Sequence, residues 1–108
     1  MLKSIPKNSI LNQLKLYLSE IYQNQLEKII LFGSQVRGDE TPESDFDILI
    51  ILRKPFAYYQ EIQRISEYIS ELCLENDILI TCCFTTLEKW NTENSAFYRN
   101  IHQEGMIL

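Results

Sequence analysis

The sequence predicts an α/β (α+β) fold in one domain, residues 1–108, built on a small mixed β-sheet of about three strands flanked by helices. Three observations carry that prediction. Short continuous apolar runs, rich in Ile and Leu and too short for helices, recur along the chain and read as buried strands. Between them stand longer segments whose apolar residues return every three or four positions, the spacing of an amphipathic helix. The two kinds alternate as α-β-(α)-β-α-β-α in two or three layers, with no internal repeat, linker or low-complexity segment dividing them.

From Asn8 to about Asn24, residues Ile10, Leu11, Leu14, Tyr17, Leu18 and Ile21 mark one helical face, with Asn8 or Ser9 as the N-cap. Lys28 to Phe32 is a short buried strand stopped by Gly33. The polar stretch that follows, with Gly38 and Pro42, has room for one short helix and a loop. Asp45 to Arg53 is the strongest strand, because beyond its first three residues apolar side chains fill both alternating sets, as in a central strand. After the breaker Pro55, residues Phe56, Tyr59, Ile62, Ile65, Ile69 and Leu72 predict a crossover helix to about Glu75. Asp77 to Phe84 is expected as a third strand. Thr85 or Thr86 can cap a short helix through Trp90, and Ser95 to Glu104 forms a last helix ended by Gly105.

Composition excludes several classes. With 45% hydrophobic and 23% charged residues the chain has the balance of a folded domain rather than a disordered tail. Its net charge of −5 disfavours attraction to nucleic-acid phosphates or to an anionic membrane, and suits a basic protein partner better. No stretch approaches the roughly 20 apolar residues that span a bilayer, so a cytoplasmic protein is expected. The three cysteines, Cys73, Cys82 and Cys83, are read as small buried hydrophobes of a reducing compartment, with neither a disulfide nor zinc-ligand spacing.

Three chemical features coincide: Gly33-Ser34 leaving one strand, Asp45 and Asp47 opening the next, and Asp77 before the third. Side chains two apart on a strand share a face, which puts Asp45 and Asp47 together about 6.5–7 Å apart along the backbone. Like charges at the edge of an apolar core are costly without a proton or a cation, and hard carboxylate oxygens suit Mg²⁺ bound together with phosphates. A nucleoside triphosphate is the implied substrate. Asp77 begins the same tetrapeptide, Asp-Ile-Leu-Ile, as Asp47, so in an adjacent strand it is expected to be the third ligand and the base that deprotonates an acceptor hydroxyl. Gly33 permits close approach of backbone to phosphate, and the N–H groups after Ser34 at a helix start form an anion site. Arg37 is a further candidate for the triphosphate, against a purely exposed role.

Gly33-Ser34, ten intervening residues Gln35 to Ser44, then Asp45-Phe46-Asp47 resembles the signature of the DNA-polymerase-β-like nucleotidyltransferase superfamily. Arg37-Gly38, Pro42, Ser44 and the ending Phe97 to Leu108 resemble its minimal bacterial and archaeal branch. The resemblance covers nearly the whole chain. It implies a nucleotidyltransferase fold, Gly33 and Ser34 as the phosphate motif, and Asp45, Asp47 and Asp77 as ligands of two Mg²⁺ ions. It further implies an antitoxin that transfers AMP from ATP to a tyrosine of a cognate HEPN-domain ribonuclease toxin, as part of a hetero-oligomer. Relatives that modify aminoglycosides carry a helical domain for the drug, and a partner is expected to complete the acceptor site here.

Two other functions fit the sequence less fully. One is a binding module that neutralises a toxin by occlusion. The other is a subunit of a small-molecule or tRNA nucleotidyltransferase, disfavoured by the acidic charge and the lack of a second domain. Of the remaining residues, His102 is assigned no role. The tyrosines are read mainly as packing, with some of them and Trp90 available to a partner interface, and Arg37-Gly38-Asp39 is a coincidental adhesion-like string.

Overall fold

The computed structural model describes residues 7–33 and 46–108, so the expected short helix and loop between Gly33 and Asp45 lie outside it. In chain order come α1 (Lys7–Tyr22), a 3₁₀ turn (Gln23–Gln25), β1 (Leu26–Phe32), β2 (Phe46–Leu52), α2 (Tyr58–Asn76) and β3 (Ile80–Thr86). Two short helices, α3 (Leu87–Thr92) and α4 (Ala96–Glu104), and a two-residue strand β4 (Met106–Ile107) complete the described chain. The sheet order is β3-β2-β1-β4, four strands where the sequence predicts about three. β4 pairs antiparallel with Ile30 and Leu31 of β1, and two residues are too few to leave a periodic signal.

β2 is the central strand, antiparallel to β1 and parallel to β3. A parallel neighbour requires a crossover, which α2 supplies. Phe46, Ile48, Ile50 and Leu52 join Leu14 and Leu18 of α1 and Ile65 and Leu72 of α2 in one core. Leu49 and Ile51 face the other way, into a smaller core with Ile30, Trp90 of α3 and Ile101 of α4. The arrangement is therefore three-layered: α1 and α2, the sheet, then α3 and α4.

Asn8 and Ser9, expected to cap α1, lie inside it, because the helix already begins at Lys7; the caps expected further along the chain form. The Thr86 hydroxyl accepts from the Lys89 N–H at 3.2 Å to start α3, and the Ser95 hydroxyl accepts from the Tyr98 N–H at 3.4 Å to start α4. Gly105 ends α4 because of crowding: a Cβ there would lie 2.5 Å from Ile30 Cγ2 and 2.6 Å from the Ile101 carbonyl oxygen. Tyr59, expected on the apolar face of α2, is instead 80% exposed, while other tyrosines pack as read. Tyr17 stacks on Tyr68 at 3.8 Å between centroids, joining α1 to α2, and the Tyr22 hydroxyl donates to the buried Glu61 carboxylate at 2.7 Å. Trp90 departs from its expected availability to a partner, since it is only 6% exposed. His102 stacks on its indole at 3.6 Å and bonds the Trp90 carbonyl at 2.9 Å, a packing role.

The third strand is a correction. α2 continues to Asn76, and Asp77 takes a left-handed conformation (φ 53, ψ 48) as its C-cap, its N–H donating to the Cys73 carbonyl. Asp tolerates that region better than most non-glycine residues. β3 begins only at Ile80, three residues past the expected start at Asp77.

Candidate active site

β1 ends at Phe32, whose partner across the antiparallel pair is Asp47, the second residue of β2. Gly33 follows with φ +88, a backbone conformation that glycine enters without strain. A Cβ on Gly33 would collide with Asp47 Oδ2, so the carboxylate lies directly against the glycine backbone. Asp47 alternates with Leu49 and Ile51 and shares their face of the sheet, the one covered by α3 and α4. Its charge is felt at Cys83 on that face, where burial first and the Asp47 carboxylate second push the thiol up to about 11. Burial likewise pushes Cys82 up to about 12. All three cysteines are free thiols, as expected.

At Gly33 a hollow of about 240 Å³ opens, lined by Phe32, Gly33, Phe97, Asn100, Ile101 and Glu104. Phe32 and Phe97 meet edge to face at 5.8 Å and give it an apolar wall. A larger hollow of about 310 Å³ lies at the other end of β2, against Leu52, Pro55 and Glu61. It is occupied at its base by the Tyr22–Glu61–Arg64 group, in which Arg64 Nε stands 3.5 Å from the carboxylate. That group ties α1 to α2 and is remote from Asp47.

Of the sequence-predicted site residues, the structure brings Gly33 and Asp47 into contact. Ser34, Arg37 and Asp45 lie outside the described residues. Asp77 is exposed, caps α2, and leads into Ile78, which packs against the core on the α1/α2 face. The parallel register sets Thr81, four residues later, beside Asp47. Sequence spacing offered no signal for Thr81, Phe97, Asn100 or Glu104, which meet the site only through strand register and the docking of α4.

The chemistry of this strand end suits a hard divalent cation held jointly with phosphate. Asp47 offers carboxylate oxygen, and the bare backbone at Gly33 lets a phosphate approach. Among the described residues no three His, Cys, Asp or Glu side chains gather into a metal cluster, so a cation here needs Asp45 or a ligand's own oxygens as well. No helix among the described residues is long and apolar enough to cross a membrane.

A mixed sheet with a glycine turn packed on a strand-end aspartate defines a nucleotidyltransferase architecture, and comparison with known proteins agrees. The nucleotidyltransferase domain family matches residues 11–104, and the chain belongs to that family. A putative protein adenylyltransferase of Methanocaldococcus jannaschii is 37% identical over 92 residues, covering 84% of this chain and 86% of that protein. A second from the same organism is 40% identical over 72 residues, covering 67% and 72%. Among solved structures, a toxin–antitoxin complex with AMP-PNP superposes with a TM-score of 0.59 at 16% identity, over 94% of this chain and 72% of that one. The MntA-HpeT toxin–antitoxin gives 0.58 at 21%, over 97% and 72%. Spectinomycin adenyltransferase AAD(9) from Enterococcus faecialis, solved with ATP and spectinomycin, gives 0.63 at 18%, with this chain spanning 47% of its length. These structural likenesses establish the shared fold.

Proposed function

We propose that the chain transfers AMP from ATP to a hydroxyl of a partner protein, a tyrosine of a HEPN-domain toxin, and so acts as an antitoxin. The observation that carries this reading is the Asp47 carboxylate seated on the positive-φ Gly33 at the open end of the sheet, in a chain whose curated relatives are named as protein adenylyltransferases. Asp45 and Asp47 hold Mg²⁺, with Ser34, Arg37 and the backbone after Gly33 on the triphosphate. Bound Mg²⁺ supplies charge neutralisation for the phosphates and for the leaving group.

The chain's own part is positioning. Gly33 and Ser34 fix the phosphates, Asp47 would hold the Mg²⁺ that neutralises them, and the acceptor enters by the hollow at Gly33, against Phe32 and Phe97. The acceptor oxygen bonds to the α-phosphorus, the bond to the bridging oxygen breaks and pyrophosphate leaves. The acceptor proton passes to a carboxylate at this strand end.

The test is transfer of label from α-labelled ATP to the product of the neighbouring gene, followed by gel and intact mass. Asp47→Asn is expected to abolish labelling while binding of the partner and the circular dichroism spectrum persist. A partner that binds but takes no label from the wild-type chain would sink the transfer reading. It would leave the occlusion reading, which the net charge of −5 favours for a basic partner surface.

A further inference from the structure

We propose that Thr81, rather than Asp77, occupies the strand position flanking Asp47, so that β3 contributes no carboxylate to the cation site and the chain holds the cation firmly only with the triphosphate present. This rests on the metal–nucleotide reading above and narrows it to a statement about which side chains take part.

The argument is one of register. Neighbouring strands lie about 4.8 Å apart, and residues paired in a parallel ladder send their side chains to the same face. Asp47 pairs with Thr81, Leu49 with Cys83 and Ile51 with Thr85. The faces agree: Leu49, Ile51 and Cys83 all belong to the core under α3 and α4, and the Thr85 hydroxyl meets the Tyr98 hydroxyl of α4 at 2.7 Å. Thr81 is therefore on the Asp47 face, and it is exposed at the open end. A side chain that shares a cation with Asp47 from β3 has to stand there, and this chain places a hydroxyl at that point.

Asp77 lies outside β3, which begins only at Ile80. It caps α2, whose Ile65 and Leu72 pack on the α1 side of the sheet, and its successor Ile78 packs on the same side. The segment is pinned: the Ile78 N–H donates to the Cys73 carbonyl at 3.1 Å and the Ile80 N–H to Cys73 Sγ at 3.2 Å. A neutral hydroxyl beside Asp47 leaves less negative charge to hold a cation alone, and the phosphates of the nucleotide make up the difference.

The experiment is Mn²⁺ binding followed by electron paramagnetic resonance, with and without ATP, on wild type, Asp47→Asn, Asp77→Asn and Thr81→Asp. Asn suits the left-handed cap at position 77 as Asp does, so Asp77→Asn keeps the fold. Thr81 is exposed, so Thr81→Asp is tolerated, and circular dichroism checks both. The expected results are weak Mn²⁺ binding by wild type alone, firm binding with ATP, loss of the latter in Asp47→Asn and no change in Asp77→Asn. Thr81→Asp is expected to tighten nucleotide-free Mn²⁺ binding at least tenfold. Equal loss in Asp77→Asn and Asp47→Asn, or no gain in Thr81→Asp, overturns the inference while leaving the metal–nucleotide reading in place. No Mn²⁺–ATP binding by wild type overturns that reading itself.

Discussion

Replacing Gly33 by alanine tests the contact on which the site is built. Two costs follow from the structure. The residue sits at φ +88, where an L side chain is strained by about 1–2 kcal/mol. Its new Cβ would also run into Asp47 Oδ2, so the carboxylate has to swing away or the turn has to open. Strain and displacement together should lower the unfolding free energy by about 1–3 kcal/mol, a Tm shift of roughly 5–15 °C for a domain of this size. Binding should suffer more than the fold, because the group moved is the proposed cation ligand. Gly105→Ala is the control: that glycine has an ordinary φ, and its Cβ would press on Ile30 and the Ile101 carbonyl. Overpacking there should cost a similar 1–3 kcal/mol of stability but leave Mn²⁺–ATP binding intact in the folded fraction. Urea unfolding and Mn²⁺–ATP titration of the two variants make the comparison. If Gly33→Ala matches wild type in both, neither the strained turn nor the close approach exists. If both glycine variants lose binding equally, Gly33 has no special place in the site.

Two further outcomes follow from buried polar groups. Tyr22→Phe removes the donor to the Glu61 carboxylate and leaves that charge with Arg64 alone, so urea denaturation should show about 1–3 kcal/mol less stability; an unchanged midpoint would mean the hydrogen bond contributes nothing. The Cys82 and Cys83 thiols, pushed by burial to about 12 and about 11 from an ordinary 9.0, give a signed pH dependence. The unfolded chain loses these protons first, so their contribution is whole below about pH 9 and is lost as pH rises through the folded values. The slope of stability against alkaline pH should flatten in Cys82→Ala/Cys83→Ala, and an equal slope in wild type and the double variant would refute the assignment.

Much of the fold was legible because each element leaves a local mark. β2 showed as an apolar run filling both alternating sets, and all its residues but Asp47 are buried. Thr86 and Ser95 showed as caps. The glycine–aspartate contact was legible in part: the spacing named both residues, while the antiparallel pairing of Phe32 with Asp47 that joins them is a tertiary fact. Asp77 misled because the tetrapeptide Asp-Ile-Leu-Ile occurs twice, and identical residues took different conformations in different surroundings. The first copy, Asp47 to Ile50, lies wholly within β2, so its aspartate is already extended. The second copy follows a helix that runs on to Asn76, so its aspartate becomes a left-handed cap and Leu79 is left 53% exposed. No single-residue pattern encodes how far a helix persists or which residue of β3 stands beside Asp47.

The two helical layers differ in length, and the site lies on the face with the shorter one. α1 and α2 have 16 and 19 residues, about 24 and 28 Å at 1.5 Å per residue, enough to cover strands of seven residues from end to end. α3 and α4 have six and nine residues, and α4 spans only about 14 Å. They cover the other face chiefly at Ile30, Leu49 and Ile51, through Trp90 and Ile101. Asp47 continues the row of Leu49 and Ile51 to the end of β2, where it is only partly buried and its carboxylate lies against Gly33. A carboxylate one residue earlier or later would stand on the opposite face, where Phe46 and Ile48 are buried with α1 and α2, which is why a one-residue slip in β2 would remove the site as well as the core.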